Sequence, residues 1–467
     1  MAGAEVSAVL RAAKSGRGGR SRAARLRFWP LVVATFFMVS GGTYGTEDIV
    51  RGAGYGRAIL ILLITPILWS VPTALMIGEL SSALPAEGGY YVWVRRAMGN
   101  FWGFQEAWLS LVASIFDMAI YPTLFVAYLV RLFPWFGINH RGIAVGVLVV
   151  AACAVLNIAG IRVVATTSVW LFVLLSAPFA AIAILAPFKH EVLANVAASP
   201  TTSQVTLVGG LLIAMWNYMG WDNASTIAGE VTDPRRTYPR AMLAAVALVA
   251  ISYIVPISSV SVTHLSPALW DTGSWADIAG LLGGPALRVA LVAGGMLSAF
   301  GMFNALVLSY SRLPYAMALD GMLPSVFAKA SARTGAPSVS ILVLATGWAL
   351  SLGLGFERLV SIDVLIYGGS LFLEFLALVV LRFTQPNLTR AFKVPGGKPG
   401  AVLIGICPML LIGFALFQTD TERILGMNAL LFGAILMVAG SAACALIALF
   451  TPSRAGQPAS SAGLAED

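Results

Sequence analysis

The feature that most constrains this chain is a series of apolar runs, each of about 20 residues, that recurs along its whole length. Each run is long enough to cross a hydrocarbon core of about 30 Å as a helix. Only 11% of the residues are charged, whereas about a quarter are charged in soluble domains. Backbone groups in lipid must be paired within the chain, and these runs lack the alternation of barrel strands. The sequence therefore predicts an all-α membrane protein.

We place about twelve membrane-spanning helices in a domain over residues 29–450. Their centres lie near Val39, Leu68, Ile115, Leu148, Phe172, Ala214, Ala250, Ser298, Ala345, Phe372, Ile412 and Ala434. A basic N-terminal tail, residues 1–28, and a C-terminal tail, residues 451–467, flank the domain. With both tails in the cytoplasm of a plasma or bacterial inner membrane, 21 of the 29 Lys and Arg residues lie on the cytoplasmic side, as the positive-inside rule requires. The net charge of +8 is then explained by the basic residues on the cytoplasmic side, and we predict no nucleic-acid partner. The basic tail can contact lipid headgroups.

Glycine and polar residues interrupt two of these spans where an apolar helix should be crossing the middle of the membrane. The first interruption comprises Gly41, Gly42, Thr43, Tyr44 and Gly45. The second is the segment NYMGWDN, residues 217–223, in the sixth span. Two halves that each begin with a discontinuous helix indicate inverted repeats around a substrate site. We assign the repeats to residues 29–187 and 205–383 and two additional helices to residues 400–450. The alternative is that the glycines only allow close helix packing.

Acidic residues inside the predicted spans are the strongest candidates for function. They are Glu47, Asp48, Asp117, Asp222 and Glu374, and no basic residue or His lies near the middle of their spans. An ionised side chain deep in a bilayer costs about 3 kcal/mol, so either some are protonated or a cation completes the site. Structural roles remain open, because Glu47 and Asp48 can begin a half-helix and Asp222 can cap one. Asp363 and Glu106 are expected to lie nearer the span ends and to be solvated.

Aromatic residues cluster at the two breaks. They are Tyr44, Trp216, Tyr218 and Trp221, with Asn217 between them. They either form an interfacial belt or stack on an ammonium group by cation–π attraction of about 0.5–2 kcal/mol each. Cys153, Cys407 and Cys444 lie in spans without pairing spacing, and the three His lie in predicted loops. We therefore predict no metal, cofactor or disulfide framework, and no enzyme, since the spans hold no His or paired Cys.

Long loop segments of this chain resemble a known superfamily. GELSSALPAEGGYYVWVRRAMGNFWGF (78–104), GEVTDPRRTYPRAM (229–242) and SYSRLPYAMALDGMLPSVFAK (309–329) are similar to loops of the amino acid, polyamine and organocation transporter superfamily. Within it, VSGGTYGTED, WSVPTAL, FDMAIYP, WDNASTIAGEV and FLEF resemble the polyamine:proton symporter branch, which is close to the L-type amino acid transporters. The resemblance covers nearly the whole chain. It implies a LeuT-like fold with a 5+5 inverted repeat and discontinuous helices 1 and 6.

The resemblance also implies proton-coupled uptake of polyamines or related organic cations by alternating access. Glu47, Asp48, Asp117, Asp222 and Glu374 fall on acids of that branch's pattern. We predict that Glu374 or Asp117 takes the proton, and that the substrate contacts both breaks together with Glu47, Asp48 and Asp222. Three departures are Thr43, where the pattern has Pro, the stretch Gly220, Trp221 and Asp222, where the pattern has an aromatic-flanked YWD, and a fifth span without the Lys of many amino acid permeases.

Other functions remain open at this point. A permease for cationic or neutral amino acids is the first alternative, since the first break also offers backbone amides to a carboxylate. A cation channel can use rings of acids but gives no reason for paired broken helices, and a transporter-like sensor is a further alternative. L-type relatives pair with a glycoprotein through a cysteine in an outer loop. No cysteine here lies in a predicted outer loop, so we predict no disulfide-linked subunit.

Overall fold

The computed structural model describes residues 28–84, 89–160, 168–189, 207–230, 234–331, 333–418, 423–424 and 427–450. The helices of the first half are α1 (Phe28–Val39), α2 (Glu47–Thr65), α3 (Val71–Ala83), α4 (Gly89–Met98), α5 (Asn100–Leu132), α6 (Arg141–Ile158) and α7 (Ser168–Leu185). Those of the second half are α8 (Leu207–Asn217), α9 (Pro234–Ser261), α10 (Trp275–Leu319), α11 (Ser338–Leu350), α12 (Phe356–Thr384), α13 (Gly397–Gln418) and α14 (Ala429–Phe450). The predicted C-terminal tail, and the N-terminal tail up to residue 27, lie outside the described residues.

Short elements join these helices. They are a π-helical turn (Pro66–Ser70), 3-10 helices at Pro134–Gly137, Ala186–Phe188, Trp221–Glu230, Pro267–Leu269 and Ser325–Ala328, and the antiparallel strands β1 (Arg423–Ile424) and β2 (Met427–Asn428). Apart from those two-residue strands, the described chain is helical, which confirms the all-α prediction.

Helix length and composition agree with a membrane protein. Seven stretches of helix in the described residues are long and apolar enough to cross a bilayer, and four shorter apolar helices accompany them. Each predicted span centre falls on a helix or on the π-helical turn. The number of twelve spans and the 5+5 repeat stay predictions.

Two long helices contain a glycine that changes their direction. Gly54 in α2 and Gly284 in α10 have φ values of 71° and 73°, a left-handed region that favours glycine. The kink at Gly54 separates a short helical piece, which begins at Glu47, from the longer helix that follows. Glu47 and Asp48 therefore occupy the first turn of a half-helix, as the structural alternative predicted.

The core of the bundle forms around α5, which packs against both α10 and α12. The broken elements lie beside it, with α8 packed on α2 and α9 packed on α1. Helix α14 lies against α5, where Gln105 donates a hydrogen bond to the Ser441 hydroxyl (2.6 Å) and Trp108 donates one to the Leu436 carbonyl (3.0 Å). Helices α1, α5, α8, α10 and α12 thus supply the walls of the central cavity.

Candidate functional site

The first break is an ordered turn whose backbone is held by distant side chains. Helix α1 ends at Val39, and Gly42 and Gly45 adopt φ values of 101° and 85° before α2 begins. Ser298 of α10 donates a hydrogen bond to the Gly41 carbonyl (2.6 Å), and Asn217 of α8 donates one to the Gly45 carbonyl (3.2 Å). The helix is therefore interrupted without leaving these carbonyls unpaired, as burial in a membrane protein requires.

The second break lies directly against the first. Helix α8 ends at Asn217, whose carbonyl accepts a hydrogen bond from the Tyr253 hydroxyl (2.9 Å). Gly220 has a φ of 84°, and a Cβ there would lie 3.1 Å from the Met38 carbonyl oxygen. Only glycine combines that backbone conformation with so close an approach. Both predicted interruptions are confirmed, and they meet at one place.

A cavity with two lobes opens where the breaks meet. The first lobe is lined by Val39, Ser40, Gly41, Tyr44, Tyr121, Leu124, Trp216, Asn217, Gly295, Ser298, Ala299 and Met302. The second lobe is lined by Met38, Val39, Asp117, Tyr121, Trp216, Met219, Gly220, Asn223, Leu306, Tyr310, Asp363 and Tyr367. Val39, Tyr121 and Trp216 belong to both lobes. Each lobe has a volume of about 20 Å³, room for about one water molecule.

Asp117 is the acid of the second lobe that accepts the most hydrogen bonds. Its Oδ1 accepts hydrogen bonds from the Trp216 indole (3.1 Å) and the Tyr121 hydroxyl (3.3 Å), and its Oδ2 accepts one from the Tyr310 hydroxyl (3.0 Å). All four residues are buried. The three aromatic donors hold the carboxylate at the cavity wall, and their hydrogen bonds stabilise its negative charge.

Asp363 was predicted to be solvated near a span end, and that prediction is wrong. It is 1% exposed and lines the second lobe with Asp117, and its Oδ2 has no hydrogen-bond partner among the described residues. Helix α12 begins at Phe356 and packs along α5 and α8, so a residue two turns from its start is already enclosed. Glu106 needs the same correction, since it is 0% exposed on α5.

Asp222 lies behind the second lobe and is connected to it by one side chain. The Tyr367 hydroxyl donates a hydrogen bond to the Asp222 Oδ1 (2.8 Å), and Tyr367 itself lines the lobe. Glu374 is fully buried about two helical turns after Tyr367 on α12 and belongs to neither lobe. Of the predicted acids, the structure therefore brings Asp117 into the cavity, sets Asp222 beside it and leaves Glu374 outside.

Glu47 and Asp48, predicted to contact the substrate, lie against the segment that joins α9 to α10. The Glu47 Oε1 accepts hydrogen bonds from the Tyr128 hydroxyl and from the Gly273 amide, the latter at 3.1 Å. The Asp48 Oδ2 accepts one from the Thr272 hydroxyl (2.7 Å). Neither acid lines either lobe. Their contacts join the start of α2 to α5 and to the segment between α9 and α10.

The remaining predicted residues divide between lining and support. Gly41, Tyr44, Trp216 and Asn217 line the first lobe. Gly42, Thr43, Gly45, Tyr218 and Trp221 belong to neither lobe; Tyr218, for example, donates a hydrogen bond to the Leu62 carbonyl (2.8 Å). All four predicted aromatics are buried, which excludes an interfacial belt. Tyr121, Tyr310 and Tyr367 were not predicted from the sequence, although Tyr121 lies one helical turn after Asp117.

Replacing Gly41 with alanine is expected to block the first lobe. A Cβ at this position would collide with the Ser298 hydroxyl and the Met302 sulfur, both at the lobe wall. Overpacking costs about 1–3 kcal/mol of folding free energy, and because the added atom and the side chains it displaces lie at the lobe wall, ligand binding should fall as well. Gly301→Ala is the matched control, because a Cβ there meets no atom within 4 Å. Equal binding by both variants in a ligand-binding assay would show that the lobe is not used.

Comparisons with known proteins agree with this architecture. The family model described as amino acid permease matches residues 32–452. The polyamine transporter RMV1 of Arabidopsis thaliana is 36% identical over 87% of this chain and 83% of its own length. The polyamine transporter PUT1 of Oryza sativa subsp. japonica is 35% identical over 88% of this chain and 77% of its own. A crystal structure of MhsT in complex with L-phenylalanine matches with a TM-score of 0.58 at 16% identity, covering 83% of this chain and 97% of MhsT, a similarity that concerns the fold alone.

Proposed function

This chain belongs to the amino acid permease family of integral membrane transporters, and we propose on that premise that it carries polyamines or related organic cations, coupled to protons. It works by alternating access around the cavity between the two breaks. The domain is a 5+5 inverted repeat with two additional helices, and both termini face the cytoplasm of a plasma or bacterial inner membrane. The similarity to RMV1 and PUT1 supports a polyamine as the substrate.

The observation that carries the proposal is the composition of the second lobe. Two carboxylates, Asp117 and Asp363, face a lobe whose lining contains no Lys, Arg or His. An ammonium group donates up to three hydrogen bonds and accepts none, so acids are its natural partners. The rings of Tyr121, Trp216 and Tyr310 stand at the same wall and can add cation–π attraction.

The first lobe suits the remainder of a polyamine chain. Leu124, Ala299 and Met302 offer apolar surface to methylene groups, whereas Ser298 and Asn217 offer neutral hydrogen-bonding groups. The lobe contains no carboxylate. A substrate with one end in each lobe would pass between Tyr121 and Trp216, which belong to both.

A cationic amino acid is the second candidate substrate, and one observation favours it. Tyr44 lines the first lobe, and its hydroxyl has no hydrogen-bond partner among the described residues. It can donate to a carboxylate near the interrupted backbone of the first break. An amino acid with a basic side chain would then place its cationic end against Asp117 and its carboxylate against Tyr44.

Transport into liposomes tests the proposed function. Purified protein is reconstituted with an inward proton gradient, and uptake of labelled spermidine and putrescine is measured with arginine or leucine as competitors. Gradient-driven polyamine uptake that neither amino acid reduces supports the proposal. Arginine uptake would favour the second candidate. Uptake of neutral amino acids without polyamine transport would overturn both.

A further inference from the structure

We infer that Glu106 and Glu374 together form a proton-binding site that is separate from the substrate cavity. The inference rests on the proposed function and deepens it, because it assigns the coupling proton to a pair of residues and adds Glu106 to the transport machinery. Glu106 lies on α5 and Glu374 on α12, two helices that pack against each other along the core. We call these two residues the glutamate pair.

The first support is the burial of the pair without hydrogen-bond partners. Both residues are 0% exposed. Neither carboxylate oxygen of Glu374 has a partner among the described residues, and neither does the Oε2 of Glu106. The Oε1 of Glu106 accepts one hydrogen bond, from the Ser110 hydroxyl (2.8 Å). An ionised carboxylate in such a position is strongly unfavourable, and a bound proton removes its charge.

The second support is the sign of the neighbouring charges. The titratable groups that face the pair are Asp222 from the 3-10 helix after α8, Tyr90 from α4 and Tyr367 from α12. Asp117 and Asp363 in turn face Asp222. Glu79 of α3, which also packs on α12, is held by Arg382 and Arg390 at 2.5 and 3.1 Å. No ion pair reaches Glu106 or Glu374 within the part of the chain that the structure describes. Within the described residues, the ionisable side chains around the pair are therefore acids and tyrosines, with no cation to pair with either glutamate.

The third support is the contrast with Asp117, the other predicted proton carrier. Three hydrogen-bond donors hold the Asp117 carboxylate, and Asp117 lines the lobe. It is therefore suited to meet an ammonium group while ionised. Glu374 has neither donors nor access to the lobe. Substrate binding is thus assigned to Asp117, and proton binding to Glu374.

Asp222 connects the pair to the substrate cavity. Asp222 is a buried carboxyl group that faces both glutamates, and its Oδ1 accepts the hydrogen bond from Tyr367 of the second lobe. A change in the protonation of the pair therefore alters the electrostatics of Asp222 and, through Tyr367, the lobe that holds the ammonium. This path gives the proton a way to influence substrate binding from outside the cavity.

Isosteric glutamines test the site by transport. Glu106→Gln and Glu374→Gln, singly and together, are compared with wild type for gradient-driven spermidine uptake and for spermidine counterflow without a gradient. We expect the double variant to keep counterflow, which also reports folding, and to lose stimulation by the gradient. Asp117→Asn should lose both activities. Wild-type stimulation in the double variant would overturn the inference.

Infrared spectroscopy tests the proposed proton site without a transport assay. A buried protonated carboxyl group has a carbonyl band distinct from that of a carboxylate, so wild-type protein at neutral pH should show a band that the double variant lacks. The same band in both proteins would contradict the inference. If wild type fails to transport polyamines but the band difference appears, the proposed function fails and the proton site stands.

Discussion

Asp117→Asn is expected to reduce polyamine uptake about 30- to 4,000-fold while leaving the protein folded. The asparagine keeps the shape of the side chain and can still accept from Trp216 and Tyr121 through its oxygen. It removes the charge that faces the second lobe. Losing one partner of a desolvated, hydrogen-bonded charge pair costs about 2–5 kcal/mol, which corresponds to a loss of affinity of about 30- to 4,000-fold.

Asp117→Glu separates charge from shape in this experiment. It restores the carboxylate on a longer side chain, so it should bind polyamines more weakly than wild type but better than Asp117→Asn. Uptake is measured in liposomes at substrate concentrations below saturation, with protein incorporation as the normalisation. If Asp117→Asn transports within about threefold of wild type, which is less than 1 kcal/mol, the carboxylate does not hold the substrate.

Glu79→Gln is expected to destabilise the fold by about 3–5 kcal/mol, because removing one partner of a buried ion pair leaves the other uncompensated. Glu79 is fully buried and binds Arg382 through two hydrogen bonds of 2.5 Å. It also pairs with Arg390 (3.1 Å) and accepts a hydrogen bond from the Val394 amide (2.7 Å). One carboxylate therefore fastens α3 to the end of α12 and to the chain that follows it.

The matched control is Asp320→Asn, which removes the partly exposed partner of Arg95. Such surface pairs contribute about 0–1 kcal/mol. Thermal unfolding of both variants in the same detergent should therefore show a large decrease in the melting temperature for Glu79→Gln and a small decrease for Asp320→Asn. Equal decreases in the melting temperature would mean that the buried ion pair stabilises the fold no more than the surface pair does.

The breaks could be predicted because their signal is local. Glycines and short polar residues within an apolar run identify an interrupted helix without knowledge of its neighbours, and Gly41 and Gly220 are found where the interruption was expected. Asp117 could be predicted for the same reason, since an acid among apolar residues is costly wherever the helix packs.

The environment of the other acids depends on contacts that sequence spacing does not contain. Glu47 meets Gly273, 226 positions away along the chain, so its place beside that segment rather than in the cavity required the structure. Glu106 and Asp363 lie near the ends of apolar runs but are enclosed by neighbouring helices. Tyr310 and Tyr367 are indistinguishable in the sequence from other aromatics of apolar helices, although Tyr310 donates a hydrogen bond to Asp117 and Tyr367 donates one to Asp222.

The measurement that tests the central claim most directly is equilibrium binding of labelled spermidine to the purified protein, with wild type and Asp117→Asn compared side by side. The account predicts saturable binding to wild type that unlabelled putrescine displaces, that leucine does not, and that Asp117→Asn loses. Binding that leucine displaces, or that survives in Asp117→Asn, would contradict a site built around an ammonium group.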